Sequence, residues 1–178
     1  EYYRTGRVKT KPAMMGFQAE GAAPIVMGCI VKEPKTIATA IRIGNPASWD
    51  RAVDASNHSR GAIGMVSDEE IMAAHKLMAT SAGIFGEPAS AAPLAGLVKL
   101  ARKGMDFRGK RIVCVVTGNG LKDTDIVLKN AETFLKLPPD LAAIERALGW
   151  DTPGVGASSH EHTHPHQQSG KLALGGET

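Results

Sequence analysis

The sequence has 178 residues, 43% of them apolar, and 21 Lys and Arg against 18 Asp and Glu, a formal charge of +3. That is enough chain for one real core, and charge of both signs scattered along it excludes a dedicated nucleic-acid binder, since its one basic stretch, Lys99 to Arg111, has neither aromatic platforms nor a recognised module beside it. No apolar run reaches the roughly 18 residues of a membrane-spanning helix, and no signal peptide opens the chain.

Residues 1–12 are polar and charged, a helix end and loop stopped by Pro12; the first residue is not Met, and the chain reads as the continuation of a longer one. "AMMGFQA" predicts a short buried strand. "EGAAPIVMGCIV" predicts a helix from Gly21 and Ala22 with Pro24 in its first turn. "KEPKTIATAIRIGNP" is a loop around Pro34 and Pro46, after which Trp49, Ala52, Val53 and Ala55 share one face of a helix.

"GAIGMVS" is a compact strand. "SDEEIMAAHKLMATSAG" carries the clearest helix signature: Ser67 and Glu70 form a capping box, Asp68 and Glu69 suit the positive helix end, and Gly83 stops it. Its apolar face runs Ile71, Ala74, Leu77, Met78. A further helix spans about Ala91 to Lys103, ended by Gly104, with Pro93 tolerated in its first turn.

The apolar run Arg111–Val116 predicts a buried strand, and Cys114 within it a buried thiol of a reducing compartment. A last helix lies in "PPDLAAIERALG". Strands and helices alternating in this way predict an α/β fold over residues 1–150, a parallel twisted sheet flanked by helices. Residues 151–178 are rich in Gly, Ser and His and read as a disordered tail. His160, His162, His164 and His166, spaced by two, fit neither a helical pair nor a closed zinc site, which leaves opportunistic metal binding as the alternative.

Three segments carry chemistry. In "TAIRIGNPASW", Arg42 either pairs with a carboxylate or borders a site for an anion, and Asn45 starts a helix or faces that same site. In "GIFGEPASAA", Glu87 precedes a proline and small residues that open a helix, placing a carboxylate beside free amides. In "VVTGNG", Thr117 ends a strand where α/β folds hold ligands, or else the two glycines simply serve a turn.

In this order and spacing, "GFQAEGAAPIV", "TIATAIRIGNPASW", "SDEEI", "GIFGEPASAAPLAGL" and "TGNGLKD" closely resemble the threonine synthases, members of the fold-type II, tryptophan synthase β-subunit-like pyridoxal phosphate enzymes. The resemblance covers roughly residues 13–125. It implies conversion of O-phospho-L-homoserine and water to L-threonine and phosphate, by γ-elimination and then β-hydration, with pyridoxal 5'-phosphate as electron sink. It implies that Thr117 hydrogen-bonds the pyridine nitrogen as a neutral partner. It places Glu87 beside the cofactor, Ala89 and Ser90 beside the substrate, and Arg42 and Asn45 in the pocket wall.

The family's Schiff-base lysine, the Asn beside the cofactor's 3′-oxygen and the phosphate loop have no counterpart here; the resemblance puts them upstream. The chain is thus expected to be the C-terminal part of a cytoplasmic, homodimeric enzyme, inactive alone and needing the N-terminal half. A threonine dehydratase-like lyase of the same fold and a non-catalytic module keeping half of it are the rival readings.

Overall fold

The computed structural model of the chain describes residues 1–130 and 135–150. The chain divides into two compact units, residues 1–132 and 133–178.

In the first unit Met15–Ala19 (β1) pairs in parallel with Ala62–Val66 (β2), Met15 opposite Ala62 and Ala19 opposite Val66. Parallel neighbours need a crossover rather than a tight turn. Here it contains a short helix, Pro24–Met27 (α1), a loop, and the helix Trp49–Ser59 (α2). The first is only four residues long, much shorter than expected, because Gly28 at φ 70° closes it. In α2 the inner face is Trp49, Ala52, Val53 and Ser56; Ala55 is exposed, contrary to expectation, because Ser56 is the residue two full turns from Trp49.

The helix Asp68–Ala82 (α3) begins with both bonds of the capping box: the Glu70 amide donates to Ser67 Oγ at 3.2 Å and the Ser67 amide to Glu70 Oε2 at 2.9 Å. Gly83, at φ 65°, ends it. Its buried face is Ile71, Ala74, His75 and Met78. The i, i+3, i+4, i+7 stripe turns Leu77 outward, where it is exposed, and puts His75 inside instead.

The next helix, Pro88–Arg102 (α4), starts three residues before the expected Ala91. Pro88 takes the first helical position, so Pro93 lies inside the helix rather than in its first turn. α4 packs along α3 and over both strands. Gly96 permits the approach, since a Cβ there would fall 2.3 Å from the Phe17 ring. The core these elements share is built mostly of alanine (Ala19, Ala22, Ala38, Ala74, Ala89, Ala91, Ala92, Ala95) with Val66 and Ile71. Lys99 closes its edge, donating to the Met65 carbonyl at 3.0 Å and to Glu70 Oε2 at 2.8 Å.

The expected strand Arg111–Val116 is not formed, and Cys114 is exposed rather than buried. Val113 and Val115 are 85% and 65% exposed. An apolar run becomes a buried strand only beside a neighbour that takes up its amides and carbonyls, and among the described residues the sheet consists of β1 and β2 alone. After a tight turn at Gly120–Lys122 comes the helix Thr124–Asn130 (α5).

In the second unit the expected last helix is Leu141–Leu148 (α6), capped by Asp140 Oδ1 accepting from the Ala143 amide at 2.8 Å and stopped by Gly149 at φ 68°. The tail expected over 151–178, with its four spaced histidines, lies outside the described residues. Among the described residues no helix is long and apolar enough to cross a membrane, and no three His, Cys, Asp or Glu side chains gather as metal ligands.

Candidate functional site

Three of the singled-out residues meet where α4 begins. Glu87 stands at its N-cap with extended backbone, φ −68° and ψ 158°, yet its carboxylate makes no capping bond. The carboxylate faces residues 117 and 118 instead. The segment Phe85–Glu87 lies antiparallel to Gly118–Gly120: the Glu87 amide donates to the Gly118 carbonyl at 2.9 Å and the Gly120 amide to the Phe85 carbonyl at 3.1 Å, flanking a bridge between Gly86 and Asn119.

Side chains tighten this pairing. Ser90, 1% exposed, sits in the first turn of α4. Its Oγ accepts from the Gly118 amide at 2.9 Å and lies 3.1 Å from both the Gly118 carbonyl and Thr117 Oγ1. Thr117 Oγ1 in turn donates to Glu87 Oε1 at 3.2 Å. A hydroxyl–hydroxyl–carboxylate chain results, buried at Ser90 and Glu87 and open at Thr117, whose side chain is exposed.

Both glycines of "TGNG" are required by close packing. A Cβ on Gly118 would fall 2.3 Å from Glu87 Oε1, and one on Gly120 would fall 2.5 Å from the Phe85 ring. Asn119 fixes the turn between them, its Oδ1 accepting from the Leu121 amide at 2.9 Å. What the cluster offers chemically is a solvent-facing hydroxyl of fixed direction, backed by a second hydroxyl and a buried carboxylate.

The remaining expected residues are placed differently. Ala89 is buried in the alanine core. Arg42 and Asn45 are exposed on the loop after the single turn Thr39–Ile41, and the Arg42 guanidinium has no partner among the described residues. That loop is pinned at two points. Thr36 Oγ1 and the Ile37 amide donate to the two carboxylate oxygens of Asp68 at the start of α3, and Thr39 Oγ1 donates to Asp123 Oδ2 at 2.8 Å. The Thr39–Asp123 bond ties the Arg42 loop to the turn that follows Thr117.

Sequence reasoning missed Thr36, Thr39, Asp68, Asp123 and His75. The first four are Thr–Asp pairs 32 and 84 residues apart, for which local patterning carries no signal. His75 had a signal in its spacing, since it lies four residues after Ile71 on the buried stripe of α3.

Comparison with known proteins brings these features together. Residues 1–118 match the family model described as "Pyridoxal-phosphate dependent enzyme". The chain is 51% identical over 149 residues to a protein of Mycobacterium bovis named threonine synthase, covering 84% of this chain and 41% of that protein. It is 56% identical over 120 residues to one of the same name from Bacillus sp. (67% and 34% covered) and 47% identical over 152 residues to one from Synechocystis sp. (84% and 39%). The chain therefore spans between 34% and 41% of the length of these relatives.

Proposed function

The chain belongs to the pyridoxal-phosphate dependent enzymes, and on that footing we propose that the full-length protein is a threonine synthase, converting O-phospho-L-homoserine and water to L-threonine and phosphate by γ-elimination and β-hydration. The observation that carries this reading is the Thr117 hydroxyl, exposed between buried Ser90 and Glu87, in a chain 46–56% identical to proteins named threonine synthase. The residues present fit the cofactor's ring end. A pyridine nitrogen needs one polar partner, and the exposed Thr117 hydroxyl supplies it, while Gly118 and Gly120 give their own space to Glu87 and Phe85.

When bound, pyridoxal phosphate supplies an electron sink for the substrate's carbon framework. Thr117, turning its single proton from Glu87 Oε1 to the ring nitrogen, would hold that nitrogen with a neutral hydroxyl. Ser90 fixes the direction of the Thr117 hydroxyl. Glu87 borders the ring, and the backbone at the start of α4 faces the substrate, while the Ala89 and Ser90 side chains turn inward, one to the core and the other to Gly118. Arg42 and Asn45 form the wall that meets the anionic substrate, a guanidinium being well matched to phosphate and carboxylate oxygens.

The covalent lysine and the cradle for the cofactor's phosphate come, in this reading, from the part of the relatives that this chain does not span. The 178-residue chain is then inactive by itself, and the complete enzyme is a cytoplasmic homodimer. Residues 1–150 contribute to the cofactor domain.

The test is a competition of substrates with the full-length protein. Release of phosphate from O-phospho-L-homoserine at a kcat/KM far above that for ammonia release from L-threonine is expected. The opposite preference would make it a dehydratase.

A further inference from the structure

His75 takes no part in the reading above, yet it is the one buried histidine among the described residues and it stands directly behind the site. It lies 7% exposed on the inner face of α3, and its Nε2 is 2.8 Å from the Gly86 carbonyl oxygen. A carbonyl only accepts, so Nε2 carries the proton and donates. The ring also meets the edge of Phe85, with centroids 6.1 Å apart at 67°.

The pairing of the two site segments explains why that donor is needed. Hydrogen bonds flank the Gly86–Asn119 pair on both sides, and in an antiparallel pairing this leaves the pair's own amides and carbonyls facing away from each other. The buried Gly86 carbonyl therefore has no partner across the bridge and needs one from behind. His75 provides it from α3, whose ends are fixed by the capping box and by Gly83. The segment cannot slide to find another partner. A Cβ on Gly86 would already lie 2.9 Å from Met78 Cε and 3.1 Å from Ser90 Cβ, so the backbone is wedged close.

We propose that His75 is a positioning residue, holding the Gly86 carbonyl so that the next residue, Glu87, keeps its carboxylate against Thr117 and its amide on Gly118. The inference rests on the reading that the cofactor ring meets Thr117. Blocked from sliding, the Gly86–Glu87 peptide left without the His75 donor relieves its buried carbonyl by tilting, which strains the Glu87 amide's bond to Gly118 and shifts the Glu87 carboxylate.

Four variants of the full-length enzyme test this: His75→Leu, which removes the donor, His75→Asn, whose amide falls short, His75→Gln, whose amide reaches the position of Nε2, and Thr117→Val. The readouts are the visible circular dichroism of the bound cofactor, kcat and KM separately, and the urea midpoint. His75→Leu and His75→Asn are expected to alter the cofactor dichroism and lower kcat on the order of tenfold with KM little changed, while His75→Gln recovers both. Where the leucine variant does not fold, the asparagine–glutamine comparison gives the same decision. Leu and Asn variants that match Gln in dichroism and kcat, differing only in urea midpoint, would overturn the positioning role. If Thr117→Val leaves the dichroism unchanged, the placement of the ring fails and the inference with it; a Thr117 effect with silent His75 variants sinks the inference alone.

Discussion

Ser90 and Thr117 meet hydroxyl to hydroxyl at 3.1 Å across 27 residues of chain. The contact joins the first turn of α4 to the end of the apolar run that begins after Arg111. Because Ser90 also takes the Gly118 amide, it governs both the direction of the Thr117 hydroxyl and the path of the backbone beneath it.

Ser90→Ala should therefore be costly out of proportion to its size. It leaves the Gly118 amide without its acceptor, a loss of about 1–3 kcal/mol when the group is buried. A lower urea midpoint with an unchanged slope is expected, together with weaker cofactor binding by the full-length enzyme. A midpoint equal to the wild type would mean that Gly118 finds another acceptor.

Gly118→Ala adds one methyl where Glu87 Oε1 would lie 2.3 Å away. The carboxylate or the backbone has to move, and overpacking of this kind costs about 1–3 kcal/mol. The expected outcome is loss of activity in the full-length enzyme exceeding the loss in Ser90→Ala, because the displaced group is itself part of the site. Titration of the variant with cofactor and a thermal melt would check both halves.

Acid should weaken the joint between α3, α4 and β2. Burial alone would raise the Glu70 carboxyl, but the Lys99 hydrogen bond, the Ser67 amide and the charges of Lys99 and Arg102 together outweigh it and hold the carboxyl below the usual carboxylate range. A folded-state value below the unfolded one means that stability is fully present above the unfolded value and is lost as pH falls through the folded one. Glu70→Gln should flatten that part of the acid limb of a stability–pH curve. For a partly exposed pair the effect is about 1 kcal/mol or less at neutral pH.

Arg42 is predicted to act on the substrate rather than on the fold. It is exposed and its guanidinium is unpaired among the described residues, so Arg42→Ala should leave the melting temperature unchanged. Loss of a charge-assisted bond of about 1.5–3 kcal/mol corresponds to a KM for the phosphorylated substrate raised by roughly ten- to hundredfold. Thr39→Val, which frees the Arg42 loop from Asp123, should shift KM in the same direction by a smaller factor. Steady-state kinetics of the two variants decide it.

The sequence was most legible where local rules act alone. The Ser67–Glu70 capping box and the Gly83 stop of α3 rest on bonds within one turn, and β1 and β2 rest on short apolar runs between turn residues. It was least legible where a partner decides. The run Ile112–Val116 has the composition of a buried strand and is exposed, because composition records what the segment packs against and not whether the neighbour is present. Pro93 misled by suggesting a later start for α4, when Pro88 already occupied the position a proline prefers.

At the site, the motif words drew attention to Glu87, Ser90 and Thr117, and these three are in contact. What they could not convey is direction. Ala89, in the same four-residue word, turns into the core, while His75 reaches the site from the part of α3 beyond the word "SDEEI".

The most direct test of the proposed chemistry is to run the full-length enzyme on O-phospho-L-homoserine in ¹⁸O-water and analyse both products by mass spectrometry. Elimination followed by hydration requires solvent oxygen in the hydroxyl of threonine and none in the released phosphate. Label in the phosphate, with homoserine as the other product, would show cleavage at phosphorus and contradict the assignment.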